Sequence, residues 1–330
     1  MTELEKSAYI LVRRGIARTR AELARRLEVS RPTASTAAEK LLSAGLIAEC
    51  GKGKSTGGTA PILLSARKDV PGFIGIDLGY ADRMSGVLLD GAGGIAAEAE
   101  RTFDPADLAS IAENTEKLIN ALSPAKKIPG AAVALSAIID EKSGRITSSI
   151  NPVFRDGNIK EFLENELACP VFTANRSRAA AVSEAFGGAA DSEENFALVS
   201  LGRSVGAAFW CAGKLFCGAN SAAGEIRDLR LASGERLEEA LSPEKTARAD
   251  REDVLEVCAD ALSQLVAVMD FRLLILSGRF ADFGKGFSSA LERKLARKTR
   301  GVRVKSARFG RYSAARGSAF RMGELFIPFP

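Results

Sequence analysis

The sequence of 330 residues contains no histidine. This removes the most frequent general base and the most frequent metal ligand at neutral pH. Cysteine is scarce: five residues, odd in number and scattered at positions 50, 169, 211, 217 and 258. No pair has the tight spacing of a zinc site, so neither zinc nor a disulfide framework is expected. All five are read as small core fillers. No apolar run reaches the roughly 18 residues that a membrane helix needs. The opening Met1-Thr2-Glu3-Leu4-Glu5 lacks the basic-then-apolar order of a signal peptide, so a cytoplasmic location is expected.

Charge is present in quantity, and its distribution matters more than the net value of +5. Residues 1–70 hold 13 Lys/Arg against 7 Asp/Glu. Residues 291–316 hold ten Lys/Arg against one acid, Glu292. The stretch 71–290 therefore carries a net −10. Two basic regions on an acidic body imply a local electrostatic footprint. The run 291–316 is read as a solvated helix face, with a protein-interaction surface as the alternative.

Three short apolar-periodic segments open the chain. Leu4, Ala8, Leu11 and Val12 form one stripe, and Leu23, Ala24 and Leu27 a second. A third helix starts after Ser30 as N-cap, with Pro32 in its first turn, and runs to about Ala44 before Gly45. A strand over 46–49, a Gly/Lys/Ser/Thr-rich loop over 51–59 and a return strand over 61–65 follow. This order outlines a winged helix-turn-helix over residues 1–66. On the third helix Ala34, Ala38 and Leu41 face inward, while Thr33, Thr36, Lys40 and Ser43 face outward. Short hydroxyls and cations on an outward face suit base edges and phosphates. The candidate DNA-binding residues are Ser30, Arg31, Thr33, Ser35, Thr36 and Lys40, with Lys52 and Lys54 on the wing. A small helical protein-interaction module is the competing reading.

From Phe73 the texture changes to apolar strands alternating with helices. Strands are expected over 73–78, 84–90, 95–101, 130–139, 170–173, 196–201, 206–211, 214–216, 273–276 and 302–306. Helices are expected over 108–122, 159–167, 177–186, 251–270, 286–299 and 313–325. Two glycine-punctuated α/β halves imply an internal duplication with a cleft between them. The expected lobes are 72–185 and 186–330, with the last helix returning to the first lobe.

The string Glu22-Leu23-Ala24-Arg25-Arg26-Leu27-Glu28-Val29-Ser30-Arg31-Pro32-Thr33-Ala34-Ser35, with Leu42-Ser43-Ala44-Gly45-Leu46-Ile47 and Ser55-Thr56-Gly57-Gly58, resembles the DNA-binding head of the ROK (repressor, open reading frame, kinase) regulators. The family wing usually continues with arginines ahead of a proline; this chain has Thr59-Ala60-Pro61. The body resembles the same family's actin-like fold. The implied fold class is α/β, an N-terminal winged helix-turn-helix followed by a two-lobed actin-like ATPase (sugar-kinase-like) fold. Gly75-Ile76-Asp77-Leu78-Gly79 matches the first phosphate loop of such kinases, but Tyr80-Ala81-Asp82-Arg83 follows in place of a Thr or Ser and a Lys. Leu201-Gly202-Arg203-Ser204-Val205-Gly206 resembles the second phosphate loop, with Arg203 where a small Thr is usual. Leu276-Ser277-Gly278-Arg279 lies where the adenine-side glycines fall.

The family's Glu-Asn-Asp-x-Asn pattern is here Ala174-Asn175-Arg176-Ser177-Arg178. The general base of the resemblance is therefore Arg176, a permanent cation that cannot take a proton. Gly218–Ile226 matches the family, but the expected Gly-His is Arg227-Asp228 and the cysteine-rich zinc run is absent. No catalytic residue, metal or cofactor is expected. Of the sugar-binding positions that the resemblance implies, Asn151, Asn175 and Glu225 are retained. Arg176 and Asp228 complete the candidate ligand set. A cation at Arg176 favours an acidic or phosphorylated ligand, unless Asp228 or Glu225 neutralises it and the pocket is filled. The expected function is a DNA-binding transcriptional regulator, a repressor, whose inactive body senses a sugar or anionic sugar derivative or serves as a dimerisation scaffold. Its expected partners are a double-stranded DNA operator and a second copy of itself, with no membrane. A working sugar kinase with an accessory head is the alternative.

Overall fold

The computed structural model describes residues 1–54, 59–70, 72–79, 82–123, 128–140, 143–149, 151–156, 158–202 and 204–327. The N-terminal head comprises α1 (Glu3–Arg13), α2 (Arg20–Leu27), α3 (Arg31–Ser43), β1 (Ile47–Lys52) and β2 (Ile62–Ala66). Each helix begins at a hydroxyl cap: Thr2 accepts from Glu5 N, Thr19 from Glu22 N and Ser30 from Thr33 N. Such caps satisfy backbone donors that the first turn leaves open. Ala8, Val12, Leu23, Ala34, Ala38, Leu41 and Leu64 pack as one core, which ties the three helices to the antiparallel β1–β2 ribbon.

The body opens with β3 (Ile74–Asp77), β4 (Arg83–Leu89), β5 (Ile95–Thr102), α4 (Leu108–Leu122), β6 (Ala131–Leu135), β7 (Ala137–Ile139) and β8 (Ile146–Ser149). It continues through α5 (Pro152–Asp156), α6 (Ile159–Leu167), β9 (Val171–Asn175), α7 (Arg176–Ala185), β10 (Phe196–Leu201), β11 (Val205–Cys211) and β12 (Lys214–Phe216). Then come α8 (Leu237–Ala240), α9 (Pro243–Thr246), α10 (Arg251–Met269), β13 (Leu273–Gly278), α11 (Phe287–Leu295), β14 (Arg303–Ser306) and α12 (Ser313–Leu325). The first five-stranded sheet has the order β5-β4-β3-β6-β9, and the second has β12-β11-β10-β13-β14. In both, the first three strands in sequence form an antiparallel meander and the last two extend it in parallel. The duplication inferred from the glycine-punctuated halves is thus a repeated sheet.

The sheets share a layer made of α7 and α12, whose core joins Phe73, Val87 and Ala132 of one sheet to Phe196, Trp210 and Leu273 of the other. The outer faces are covered separately, by α4 and α6 on the first sheet and by α10 and α11 on the second. Strands β6, β10 and β13 are buried along their whole length, as strands covered on both faces must be. Small residues let α7 and α12 cross closely. A methyl group placed at Gly317 would lie 1.6 Å from the Ala179 carbonyl oxygen, so only glycine fits the crossing.

Several elements differ from the sequence expectation. The expected strand over 130–139 divides at Ser136: β6 stays in the sheet, while β7 leaves it to pair with β8, which the sequence pattern does not reveal. The short helices α5 and α9 are also absent from the expectation, because four or five residues carry no measurable period. The expected helix over 286–299 ends at Leu295. Cysteine placement also departs from expectation: Cys258 is buried and its thiol is pushed up to about 12 by burial, whereas Cys50 is exposed on β1 and the other three are half-buried. A short residue fits either setting, so composition alone does not separate them.

The head is docked onto the shared layer. The Arg13 guanidinium donates to the carbonyls of Gly91 (3.2 Å) and Phe320 (2.9 Å) and lies over the Phe320 ring. Arg14 forms a two-pronged pair with Glu324, one arm at 2.7 Å, and lies over the Phe186 ring. The last residue of α1 and the cap that follows it therefore touch α12 and the residue that follows α7.

Candidate functional site

Two surfaces collect the residues singled out from the sequence: the exposed face of the head and the cleft between the lobes. On the head, Arg31, Thr33, Thr36 and Lys40 are exposed and Ser35 is half-buried. The hydroxyls at the start of α3 are partly engaged. Ser30 Oγ and Thr33 Oγ1 are 2.7 Å apart, and Thr36 Oγ1 donates to the Pro32 carbonyl at 3.1 Å. Lys40 is held by Glu5, with Nζ at 2.7 Å from Oε1, and that ammonium keeps the Glu5 carboxyl below its usual range. The cation expected to be free on this face is thus largely neutralised by α1, a helix that a wheel of α3 alone does not show. Arg31, Lys52 and Lys54 are exposed, and no hydrogen bond or ion pair with the described residues engages their side chains. Arg25 and Arg26, at the end of α2, are exposed in the same way. The rest of the loop between β1 and β2 expected as a wing, residues 55–58, lies outside the described residues.

The cleft is built where the C-terminal ends of β3, β6, β9, β10 and β13 meet the N-terminus of α7. It holds a cavity of about 40 Å³ lined from both lobes, including Ser136, Ser148, Asn175, Arg176, Ser200 and Glu225. That volume admits a few waters. It falls well short of the roughly 300 Å³ at which pockets for organic ligands begin.

Arg176 occupies the centre. Its Nε lies 3.1 and 3.0 Å from the two carboxylate oxygens of Asp77, and its Nη1 donates to Ser200 Oγ. Asp77 is fully buried on β3, Ser200 is buried on β10, and Arg176 is 5 % exposed at the start of α7. Burial pushes the Asp77 carboxyl up, and the guanidinium beside it opposes that shift. The sequence offered Asp228 or Glu225 as the partner of Arg176. The structure supplies Asp77, which lies against the Arg176 guanidinium at the end of β3.

Asp228 lies outside the cavity: it is exposed and paired with Arg236 at 3.2 Å. Glu225 lines the cavity, with burial raising its carboxyl and Arg227 and Arg178 opposing the shift. Asn175 also lines it, but its side chain caps α7 through Arg178 N and donates to the Ala137 carbonyl at 2.8 Å. Asn151 does not line the cavity; it donates to the Pro105 carbonyl and accepts from Val153 N. Arg178 is buried, with Nη2 donating to the Ser221 carbonyl. Arg203, Tyr80 and Ala81 lie outside the described residues.

Sequence reasoning missed the roles of Asp77 and Ser200. A signal was present: one carboxylate inside an otherwise apolar strand and one guanidinium before an alanine-rich helix both need partners when buried. Among the described residues no cluster of three or more His, Cys, Asp or Glu is placed to hold a metal ion, and no helix is long and apolar enough to cross a membrane.

The basic run 291–316 is mostly spent inside the body. Lys294 and Lys298 pair with Glu252, Glu256 and Asp260 of α10, Arg303 with Glu193 and Arg311 with Glu100. Arg316 is buried, donating to the carbonyls of Ser183 and Gly93. Arg293, Arg297 and Arg300 remain exposed.

Fold and cleft together define a two-lobed sugar-kinase-like protein carrying an N-terminal helical head. Residues 73–234 match the ROK family. It is 29% identical over 220 residues to the xylose repressor of Caldicellulosiruptor bescii, covering 63% of this chain and 53% of that protein. The chain thus spans about half the length of the curated relatives it matches. Among solved structures, a ROK family transcriptional regulator, a homologue of the Escherichia coli MLC protein, superposes with a TM-score of 0.73 at 16% identity, over 97% of this chain and 95% of that one. A ROK family glucokinase from Streptomyces griseus, in complex with glucose and AMPPNP, superposes with a TM-score of 0.68 at 17% identity, over 75% and 97%. The glucokinase covers less of this chain, and at these identities both likenesses speak to fold alone.

Proposed function

We propose that this chain is a sequence-specific DNA-binding transcriptional regulator acting as a repressor, with a winged helix-turn-helix over residues 1–66 and a catalytically silent body. The observation that carries this reading is the exposed set of unengaged cations Arg31, Lys52 and Lys54 at the start of α3 and on the wing. A helix N-terminus with a cation beside short hydroxyls suits the major groove, and lysines on a ribbon suit flanking phosphates. The likeness to the xylose repressor supports the same reading. A cation at the base position of the family pattern supports the silent body, because an arginine does not abstract protons at physiological pH.

The effector is a neutral sugar. Asp77 compensates Arg176, so that arginine does not require an anionic ligand. What faces the cavity besides Arg176 is mainly serine hydroxyls, Asn175, and Glu225 with Arg227, a lining suited to polyols. The small cavity requires the lobes to part before a hexose enters. The body also serves as the dimerisation scaffold that a two-fold operator requires. Fluorescence anisotropy with the chain's native operator, with and without a panel of neutral and acidic sugars, tests the reading. Salt-sensitive, sequence-selective binding modulated by a neutral sugar is expected; sequence-independent binding would remove the regulator assignment.

A further inference from the structure

The end of the Arg176 side chain lies where three glycine turns converge. A methyl group placed at Gly79, just after β3, would fall 1.9 Å from Arg176 Cδ. One placed at Gly202, just after β10, would fall 2.9 Å from Nη1, and one at Gly278, the end of β13, 3.3 Å from Nη2. Glycines at the carboxyl ends of parallel strands mark the crevice in which open α/β sheets receive ligands. Their lack of a side chain lets an occupant approach the backbone. Here the occupant is part of the chain itself. It bridges Asp77 of the first sheet and Ser200 of the second, and it fills the convergence point completely enough that no added methyl group fits at Gly79.

We propose that Arg176 is an internal plug that makes this cleft refuse metal-bound polyphosphates, the charged part of a nucleoside triphosphate. The exclusion has two components. The guanidinium takes the volume between the glycine turns. It also neutralises Asp77, the one fully buried carboxylate at those strand ends among the described residues, and so removes the anion that would hold a hard divalent cation. A phosphate chain then finds neither room nor counter-ion. Arg176 is accordingly a specificity-determining residue: it leaves the serine-lined part of the cleft to uncharged ligands. This inference deepens the catalytically silent reading given above.

The test is calorimetric titration of the full chain with magnesium inorganic triphosphate, with adenosine as a control for base binding. The unmodified protein is expected to show no saturable heat at millimolar ligand. Arg176→Ala should gain roughly tenfold or more in affinity, only with magnesium present, because Asp77 is then free to hold the metal. The double variant Arg176→Ala with Asp77→Asn avoids a lone buried charge. It should bind triphosphate better than the unmodified protein but without magnesium dependence. Circular dichroism and a cooperative melt establish that each variant is folded. Folded variants that bind no better than the unmodified chain would overturn the plug, as would an unmodified chain that binds triphosphate as tightly as Arg176→Ala. Operator binding, measured on the same samples, separates the two ideas: its absence in every form would defeat the regulator reading and leave the plug to be judged by calorimetry alone.

Discussion

The head and the segment 291–316 are both strongly basic in sequence, yet the structure gives their charges opposite uses. In the head, Arg25, Arg26, Arg31, Lys52 and Lys54 stand exposed with their cationic groups unengaged by the described residues. In the segment, Lys294, Lys298, Arg303, Arg308, Arg311 and Arg316 are tied to carboxylates or carbonyls of the body. The larger surplus is therefore the less available one. Net charge along a sequence measures the number of cations; availability depends on which acidic elements fold against them. Here α10 supplies Glu252, Glu256 and Asp260 to α11 and its continuation, whereas in the head Glu5 pairs with Lys40 and Glu39 with Arg20. The comparison teaches that the acidic body is matched to its own basic segment and leaves the head as the cationic pole.

The sharpest way to break this comparison is at Glu184, the buried carboxylate on α7 that organises the end of the basic segment. It accepts from Ser313 Oγ, from the backbone N–H groups of Arg308 and Phe309, and from Ala189 N. Glu184→Ala leaves those donors unpaired and is expected to lower unfolding stability by roughly 3 kcal/mol, read from urea melts. Operator affinity of the folded fraction should not change. The triple variant Arg31→Ala, Lys52→Ala and Lys54→Ala is expected to do the reverse. Operator affinity should fall on the order of a hundredfold, with the salt dependence shallower by about 0.9 in log–log slope for each phosphate no longer neutralised. Its melting should be nearly unchanged.

Replacing Arg293, Arg297 and Arg300 together should alter operator affinity by about twofold at most, through long-range attraction alone. A drop as large as that of the head variant would make the C-terminal segment the DNA site and reverse the comparison. Lys40→Ala is expected to weaken operator binding less than Arg31→Ala, because Glu5 already neutralises the ammonium.

The smallest effects concern pH, where two carboxylates shift in opposite directions. The hydrogen bond from Lys40 lowers Glu5, so its contribution to stability is present above the unfolded value of about 4.3 and is lost as pH falls through the lower folded value. Burial raises Glu225, so its contribution is present below the unfolded value and is lost as pH rises through the higher folded value. Glu5→Gln should therefore destabilise at neutral pH but not in acid. Glu225→Gln should be neutral or stabilising at neutral pH. Thermal melts between about pH 3 and pH 8, the span over which carboxylates titrate, read both; equal slopes for the two variants would contradict the assigned shifts.

The sequence by itself determined the local features. The cap Ser30, the proline in the first turn of α3, the inward stripe Ala34-Ala38-Leu41 and the strands β10 and β13 follow from propensity and period, which act over a few residues. The repeat of the two halves was legible in their glycine punctuation. The absence of a proton acceptor at Arg176 was legible too, because it is a property of one side chain. Only the tertiary structure decided where the charges end. Asp77 and Arg176 are 99 residues apart in sequence, and Lys40 and Glu5 are 35 apart. Nothing in the local pattern of either partner specifies the other. Asp228, close to Glu225 in the chain, points to Arg236 because a short 3-10 turn carries it out of the cleft. Strand β7, continuous with β6 in pattern, leaves the sheet because β8 offers it a partner. Long-range pairing is chosen by which surfaces the fold brings together at low dielectric, where an unpaired charge costs most, and that selection is made only when the two sheets close on α7 and α12.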